Sequence, residues 1–158
     1  MHISSRLAKV EDVGTLVALY RELEAEQAAI KPMWPLADGV AEPAAASFEA
    51  ILTDSDSYVV IGELDEVPLG FVWARSERLL PQAQGRRVAV VRLIHTVHDA
   101  RGVGVGDAMI TDVLAEFRSR GHTLFDARVS PGHRHAKNFF ESNGFAARLI
   151  VMHHADDE

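Results

Sequence analysis

The chain has 158 residues, enough for one domain with a real core but too few for two ordinary ones. Hydrophobic residues make up 47% and charged residues 25%, the balance of a soluble globular protein. The absence of cysteine excludes disulfides, thiol catalysis and thiolate metal sites, and a net charge of -7 disfavours nucleic-acid binding.

The opening Met1–Arg6 lacks the apolar core of a signal peptide, and no apolar run is long enough to span a bilayer. These features point to a cytoplasmic protein with no membrane partner. A single domain is therefore expected over residues 1–158, and segment 3–8 reads as a short strand. From about Glu11 a helix follows, with Val13, Leu16, Val17, Tyr20 and Leu23 at helical spacing. Residues 32–39, carrying two prolines and a glycine, interrupt regular structure. A shorter helix is expected from Ala44 to Leu52.

Tyr58–Leu64 is β-branched and strand-like, and Asp65-Glu66 can turn it into a second strand, Gly70–Arg75. Residues 80–85 read as a loop. Arg87–Val97 is a mostly apolar run of the kind found in a central strand buried on both faces. A helix from about Gly104 to Arg120 follows, ended by Gly121. Thr123–Val129 reads as a strand, residues 133–142 as a short helix, and Phe145–Met152 as a final strand. Hairpins in the first half and strand-helix-strand in the second imply an α/β mixed sheet, with ligands favoured at the turn after the central strand.

That turn is His98–Asp107, and it holds three alternate glycines, Gly102, Gly104 and Gly106. Glycines admit positive φ and a close backbone approach, and the helix beyond presents unpaired N–H groups to an anion. Arg101 can add a charge-assisted contact to a phosphate. A P-loop would need Lys-Ser or Lys-Thr after the last glycine, where Asp107-Ala108 stands instead. The dinucleotide fingerprint fails as well, since its third glycine would fall on Asp107 or Met109.

Arg101-Gly102-Val103-Gly104-Val105-Gly106 resembles the Arg/Gln-x-x-Gly-x-Gly/Ala motif of the GNAT acetyltransferases. Downstream, Val129–Phe145 is similar to that family's second signature: a strand-ending valine, a short helix with an aromatic pair, then Gly-Phe. The resemblance implies a GNAT fold: a mostly antiparallel central sheet with one parallel strand pair and about four helices. It implies acetyl-coenzyme A as cosubstrate, a primary amine of a small molecule or protein as acceptor, no metal, and a homodimer. The turn residues Arg101, Gly102, Val103, Gly104, Val105 and Gly106 would hold the pyrophosphate through their main chain. Thr96 and Val97 would pair with the pantetheine arm, in a cleft where this strand splays from the next. His133, Asn138 and Phe140 fall at cofactor-contacting positions of the second signature.

Two positions depart from the family pattern. His133 stands where asparagine is usual, and Phe140 stands where many members carry a tyrosine that protonates the departing thiolate. A phenyl ring has no proton to give. His95 is the candidate general base, a histidine inside an otherwise apolar strand beside the turn; the alternative is a half-buried histidine bonded to nearby backbone. Trp34 either lines the acceptor pocket or anchors packing. His133/His135 and His153/His154 lack a convincing carboxylate partner for a metal. The competing functional reading is a module that binds acyl-coenzyme A without turnover.

Overall fold

The computed structural model describes residues 1–30, 39–130 and 132–156. Five strands form one sheet in the order β1 (Ile3–Leu7), β2 (Ser57–Leu64), β3 (Val67–Arg78), β4 (Arg87–Thr96) and β5 (Leu124–Ala127). The first three pairings are antiparallel and β4–β5 is parallel, as expected for the mixed sheet. Asp65 and Glu66 both take positive φ in the β2–β3 turn, the geometry that suits a two-residue hairpin.

Four helices cover the two faces: α1 (Val13–Ala29), α2 (Ala44–Thr53), α3 (Val105–Ser119) and α4 (Arg134–Ser142). On one face α1 and α2 bury Leu16, Leu19, Tyr20, Leu23 and Phe48 against Val59, Ile61, Phe71 and Leu93. On the other, α3 and α4 bury Met109, Ile110, Val113, Phe117 and Phe140 against Val60, Val72, Ala74, Ala89 and Val91. The alternation of Val59, Val60 and Ile61 between these cores is the period of two that a two-sided strand requires. Each fully buried Val, Leu, Ile, Phe or Met among them contributes about 1.5–3 kcal/mol relative to exposure.

The final strand expected over Phe145–Met152 is absent: these residues lie in no regular element. Leu149, Ile150, Val151 and Met152 are exposed, although the run is rich in strand-forming residues. β-propensity measures fit to a pleated surface, and without a neighbouring strand to complete a ladder it has nothing to act on. Arg148 instead ties the segment to β5 through both oxygens of Asp126. The expected helix start at Glu11 also shifts: residues 10–12 form a short 3-10 turn, and α1 begins at Val13.

β4 carries the irregularity that shapes the rest. Trp73 pairs with Leu93 and Ala74 with Val91, so Arg92 is an extra residue without a partner on β3. One extra residue inverts the inside–outside alternation downstream of it. Ala89 and Val91 accordingly face α3, whereas Leu93 packs on the α1 side. The parallel pairing with β5 ends at Val91↔Ala127, while β4 runs on to Thr96. The two strands therefore part at the bulge.

Candidate functional site

A cavity of about 350 Å³ opens where β4 and β5 separate. Its walls are Ile94, His95 and Thr96 from β4, Leu23 and Glu26 from α1, the turn from Ala100 to Asp107, and α4. A smaller cavity of about 30 Å³, bordered by Arg92, Arg128, Ser130 and His133, continues along the parting.

The turn has the conformation its glycines permit. Gly102 has φ 83° and Gly104 φ 103°, both in the left-handed region that side chains avoid. Gly104 caps α3 without any side-chain hydrogen bond, and the first intrahelical bond runs from Ala108 N–H to Gly104 C=O. The N–H groups of Val105, Gly106 and Asp107 thus have no intrahelical acceptor, at the positive end of the helix dipole. At Gly106 a Cβ would stand 2.9 Å from the Phe139 ring, so only glycine lets α4 approach α3 this closely. The result is a main-chain anion cradle on the rim of an apolar cavity.

Arg101 is engaged by protein groups. Its Nε donates to Thr96 C=O at 3.1 Å, Nη2 to Glu26 Oε2 at 2.5 Å, and Nη1 lies 3.3 Å from His98 Nδ1. The guanidinium braces β4, the turn and α1 together, which leaves anion capture in the turn mainly to main-chain donors.

His95 sits where the bulge sends it, facing α1, with its side chain only 3% exposed. Nε2 lies 3.1 Å from Glu22 Oε2, and Nδ1 lies 3.7 Å from Glu26 Oε2, beyond hydrogen-bond range. Burial pushes the imidazole pKa below its ordinary 6.5, and the two glutamates only partly restore it. His95 is therefore neutral at pH 7. Burial alone would raise the Glu26 carboxyl, but the hydrogen bond and charge of Arg101 outweigh it and hold Glu26 below 4.5. His133 Nε2 approaches the other oxygen, Glu26 Oε1, at 3.5 Å.

Of the residues singled out in the sequence, His95, Thr96, Arg101, Gly102, Gly104, Gly106, His133 and Asn138 all border the one cavity. Val97, Val103 and Val105 pack into the two cores, and only their main chain belongs to the turn. Phe140 is turned away from the cavity: it is 4% exposed and packs edge-on against Phe139 and Phe145. Phe139 takes its place on the cavity wall. Trp34 lies outside the described residues. The reading of His95 as bonded to neighbouring backbone gives way to a carboxylate partner from another element. Among the described residues no group of three metal-ligating side chains comes together.

Two residues were missed altogether, Glu22 and Glu26. The buried stripe of α1 runs Leu16, Leu19, Tyr20, Leu23, and Glu26 is the next position along it at helical spacing, whereas Glu22 lies on the exposed flank and reaches His95 from there. An acid at position 26 on the apolar stripe of an amphipathic helix was the available signal; Glu22 carried none.

A mixed sheet parted at a bulge, with uncapped main-chain N–H groups at the mouth of the cleft, is an arrangement that can receive an extended anionic ligand. The acetyltransferase (GNAT) family model matches residues 16–145, and the chain belongs to that family. Aminoglycoside N-acetyltransferase AAC(6')-Iy in complex with CoA is similar in fold, with TM-score 0.78 and 20% identity over 98% of this chain and 95% of that one. The same enzyme with the bisubstrate analog CoA-S-monomethyl-acetylneamine gives 0.79 and 19%, covering 99% of both chains. A ribosomal-protein-alanine N-acetyltransferase from Brucella melitensis biovar Abortus 2308 gives 0.70 and 19%, covering 98% of this chain and 100% of that chain. A transcriptional regulator from Bacillus halodurans C-125 gives 0.73 and 20%, covering 97% and 100%. A comparison with curated protein sequences returns no match.

Proposed function

We propose that this protein transfers the acetyl group of acetyl-coenzyme A to a primary amine, by direct attack of the amine on the thioester. The observation that carries this reading is the coincidence of three features in one cleft: the uncapped start of α3, the unpaired edge of β4 beyond Val91, and the neutral, buried His95. The cradle at Arg101, Gly102, Val103, Gly104, Val105 and Gly106 suits a pyrophosphate. The edge of β4 that β5 leaves uncovered beyond Val91 suits the amides of a pantetheine arm near Thr96, added as a strand would be, whereas Val97 is already bonded, its N–H to Leu69 C=O and its C=O to Ala100 N–H. His133 and Asn138 on the α4 side complete the proposed cofactor site.

An alkylamine has a pKa near ~10.4 and is mostly protonated at neutral pH, so a proton acceptor in the cleft speeds the reaction. His95 fills that role. Phe140 lies in the core and has no proton for the departing thiolate, which leaves as an anion or takes a proton from water. The acceptor class is a small-molecule or protein amine. Residence in the cytoplasm fits a protein free of cysteine, and no helix among the described residues is long and apolar enough to cross a membrane. A homodimer through the open edge of β5 and the exposed Leu149–Met152 is part of the same proposal, and sedimentation velocity decides it.

The test is calorimetric titration with acetyl-coenzyme A, with NAD as the control ligand and an Arg101→Ala, Gly104→Asp double variant beside it. Micromolar binding that the variant loses, followed by amine-dependent release of thiol, supports the assignment. Binding without turnover on any amine turns the reading into that of an acyl-coenzyme A-binding module. A preference for NAD removes both.

A further inference from the structure

The surroundings of His95 contain more information than the presence of a base. A carboxylate can only accept a hydrogen bond. At 3.1 Å from Glu22 Oε2, Nε2 of a neutral imidazole must therefore carry the hydrogen. That leaves the lone pair on Nδ1, and Nδ1 is buried with no hydrogen-bond partner among the described residues. The nearest polar atom across from it is Glu26 Oε2 at 3.7 Å, a second acceptor facing the first. Two acceptors at this distance call for a donor between them. A nitrogen about 2.9 Å from each closes a triangle on that 3.7 Å base. Both residues border the cavity, Glu26 is 26% exposed, and Oε2 keeps a lone pair beyond the one Arg101 uses.

We infer that the gap between His95 Nδ1 and Glu26 Oε2 is the seat of the acceptor's ammonium nitrogen, with Glu22 as the positioning residue that makes Nδ1 the proton acceptor. The inference rests on the acetyltransferase reading and adds to it the residues that recognise the amine as a cation. The ammonium donates one hydrogen bond to Glu26 and gives a proton to Nδ1. The imidazolium so formed lies between two carboxylates, which stabilise it. The freed nitrogen lone pair forms the C–N bond, the C–S bond breaks with its electrons on sulfur, and a second nitrogen proton passes to the thiolate or to water. Amide, thiol and one proton are the products, so atoms and charges balance. An alcohol has no charge and a single hydrogen, so it cannot donate to both Glu26 Oε2 and Nδ1, which favours amines that arrive protonated.

The experiment follows the His95 ring by long-range 1H–15N correlation in histidine-labelled full-length protein saturated with coenzyme A, the resonances assigned with His95→Gln. Wild type is expected to show hydrogen on Nε2. Glu22→Ala is expected to mix in the Nδ1–H form, and Glu22→Gln, whose amide oxygen still accepts from Nε2–H, to restore the wild-type state. Titration with n-butylamine is expected to shift the Nδ1 resonance saturably, and Glu26→Gln to weaken that binding about tenfold or more, the loss of one charge-assisted hydrogen bond. Hydrogen on Nδ1 in wild type, or equal butylamine affinity in Glu26→Gln, overturns the inference while coenzyme A binding by calorimetry upholds the acetyltransferase reading. Failure of wild type to bind coenzyme A overturns both.

Discussion

Replacing Gly104 with alanine separates the anion cradle from general stability. Gly104 has φ 103°, and a Cβ added there would meet only the Cδ1 of Ile3, at 3.3 Å. The tip of a flexible side chain can move, so the cost lies in the backbone. A left-handed conformation costs an L-residue about 1–2 kcal/mol, and alanine recovers about 0.4–1 kcal/mol by restricting the unfolded chain. The net loss is about 0.5–1.5 kcal/mol, which for a chain of this length lowers Tm by about 1–6 °C. Gly121 is the control: its φ of 92° imposes a similar penalty, its Cβ would meet nothing within 4 Å, and it ends α3 at the opposite end from the cradle. Relaxing φ at Gly104 re-aims the N–H groups of Val105 and Gly106. The loss of one or two bonds to a charged phosphate weakens coenzyme A binding roughly ten- to a hundredfold. Differential scanning fluorimetry and calorimetry on both variants measure the two effects. Equal coenzyme A affinity in Gly104→Ala and Gly121→Ala would refute the placement of the phosphates at the turn.

Acetyl transfer to an alkylamine should show a bell-shaped kcat/KM, its acid limb below pH 6.5 because burial depresses His95 and its alkaline limb at the amine's own pKa. His95→Gln should abolish the acid limb, and a limb that persists assigns the base elsewhere. Stability should fall as the pH drops from 7 to 4. Below 6.5 the unfolded chain protonates His95 while the fold resists, and the stabilising ionisation of Glu26 is lost as the pH falls through its depressed value. Urea midpoints that rise over this range would contradict both shifts. Phe117→Ala, at a fully buried site, should cost about 3–5 kcal/mol in chemical denaturation. Asp112 accepts from Ser5 Oγ at 2.7 Å and Tyr58 Oη at 2.9 Å, so Asp112→Ala should cost about 1–3 kcal/mol, and a change below the error of the measurement would show the two hydroxyls find water instead.

Much of this protein was legible in one dimension. Helical spacing in α1, β-branched runs in β2 and β4, and glycines at alternate positions after β4 are local signals, and local conformation follows from them because each acts within a turn or a strand. The cradle at Gly102 and Gly104 belongs to this class: a left-handed backbone needs glycine wherever it occurs, so the residue announces the geometry. The pattern at 145–152 shows the limit, since a strand exists only with a neighbour, and residue order does not state which edge is free.

What surrounds His95 was decided in three dimensions. Its residue type marks it as unusual in an apolar strand, but its direction depends on the bulge at Arg92, which turns the side chain from α3 to α1. A bulge is a property of two strands in register, and it leaves no reliable mark on one of them. Glu22 and Glu26 become meaningful only because that inversion brings the imidazole to their side of the sheet. The sequence by itself determined the family, strands β1 to β5 and the glycine turn, whose signals are local; the surroundings of His95 came from register, which only the packed sheet defines.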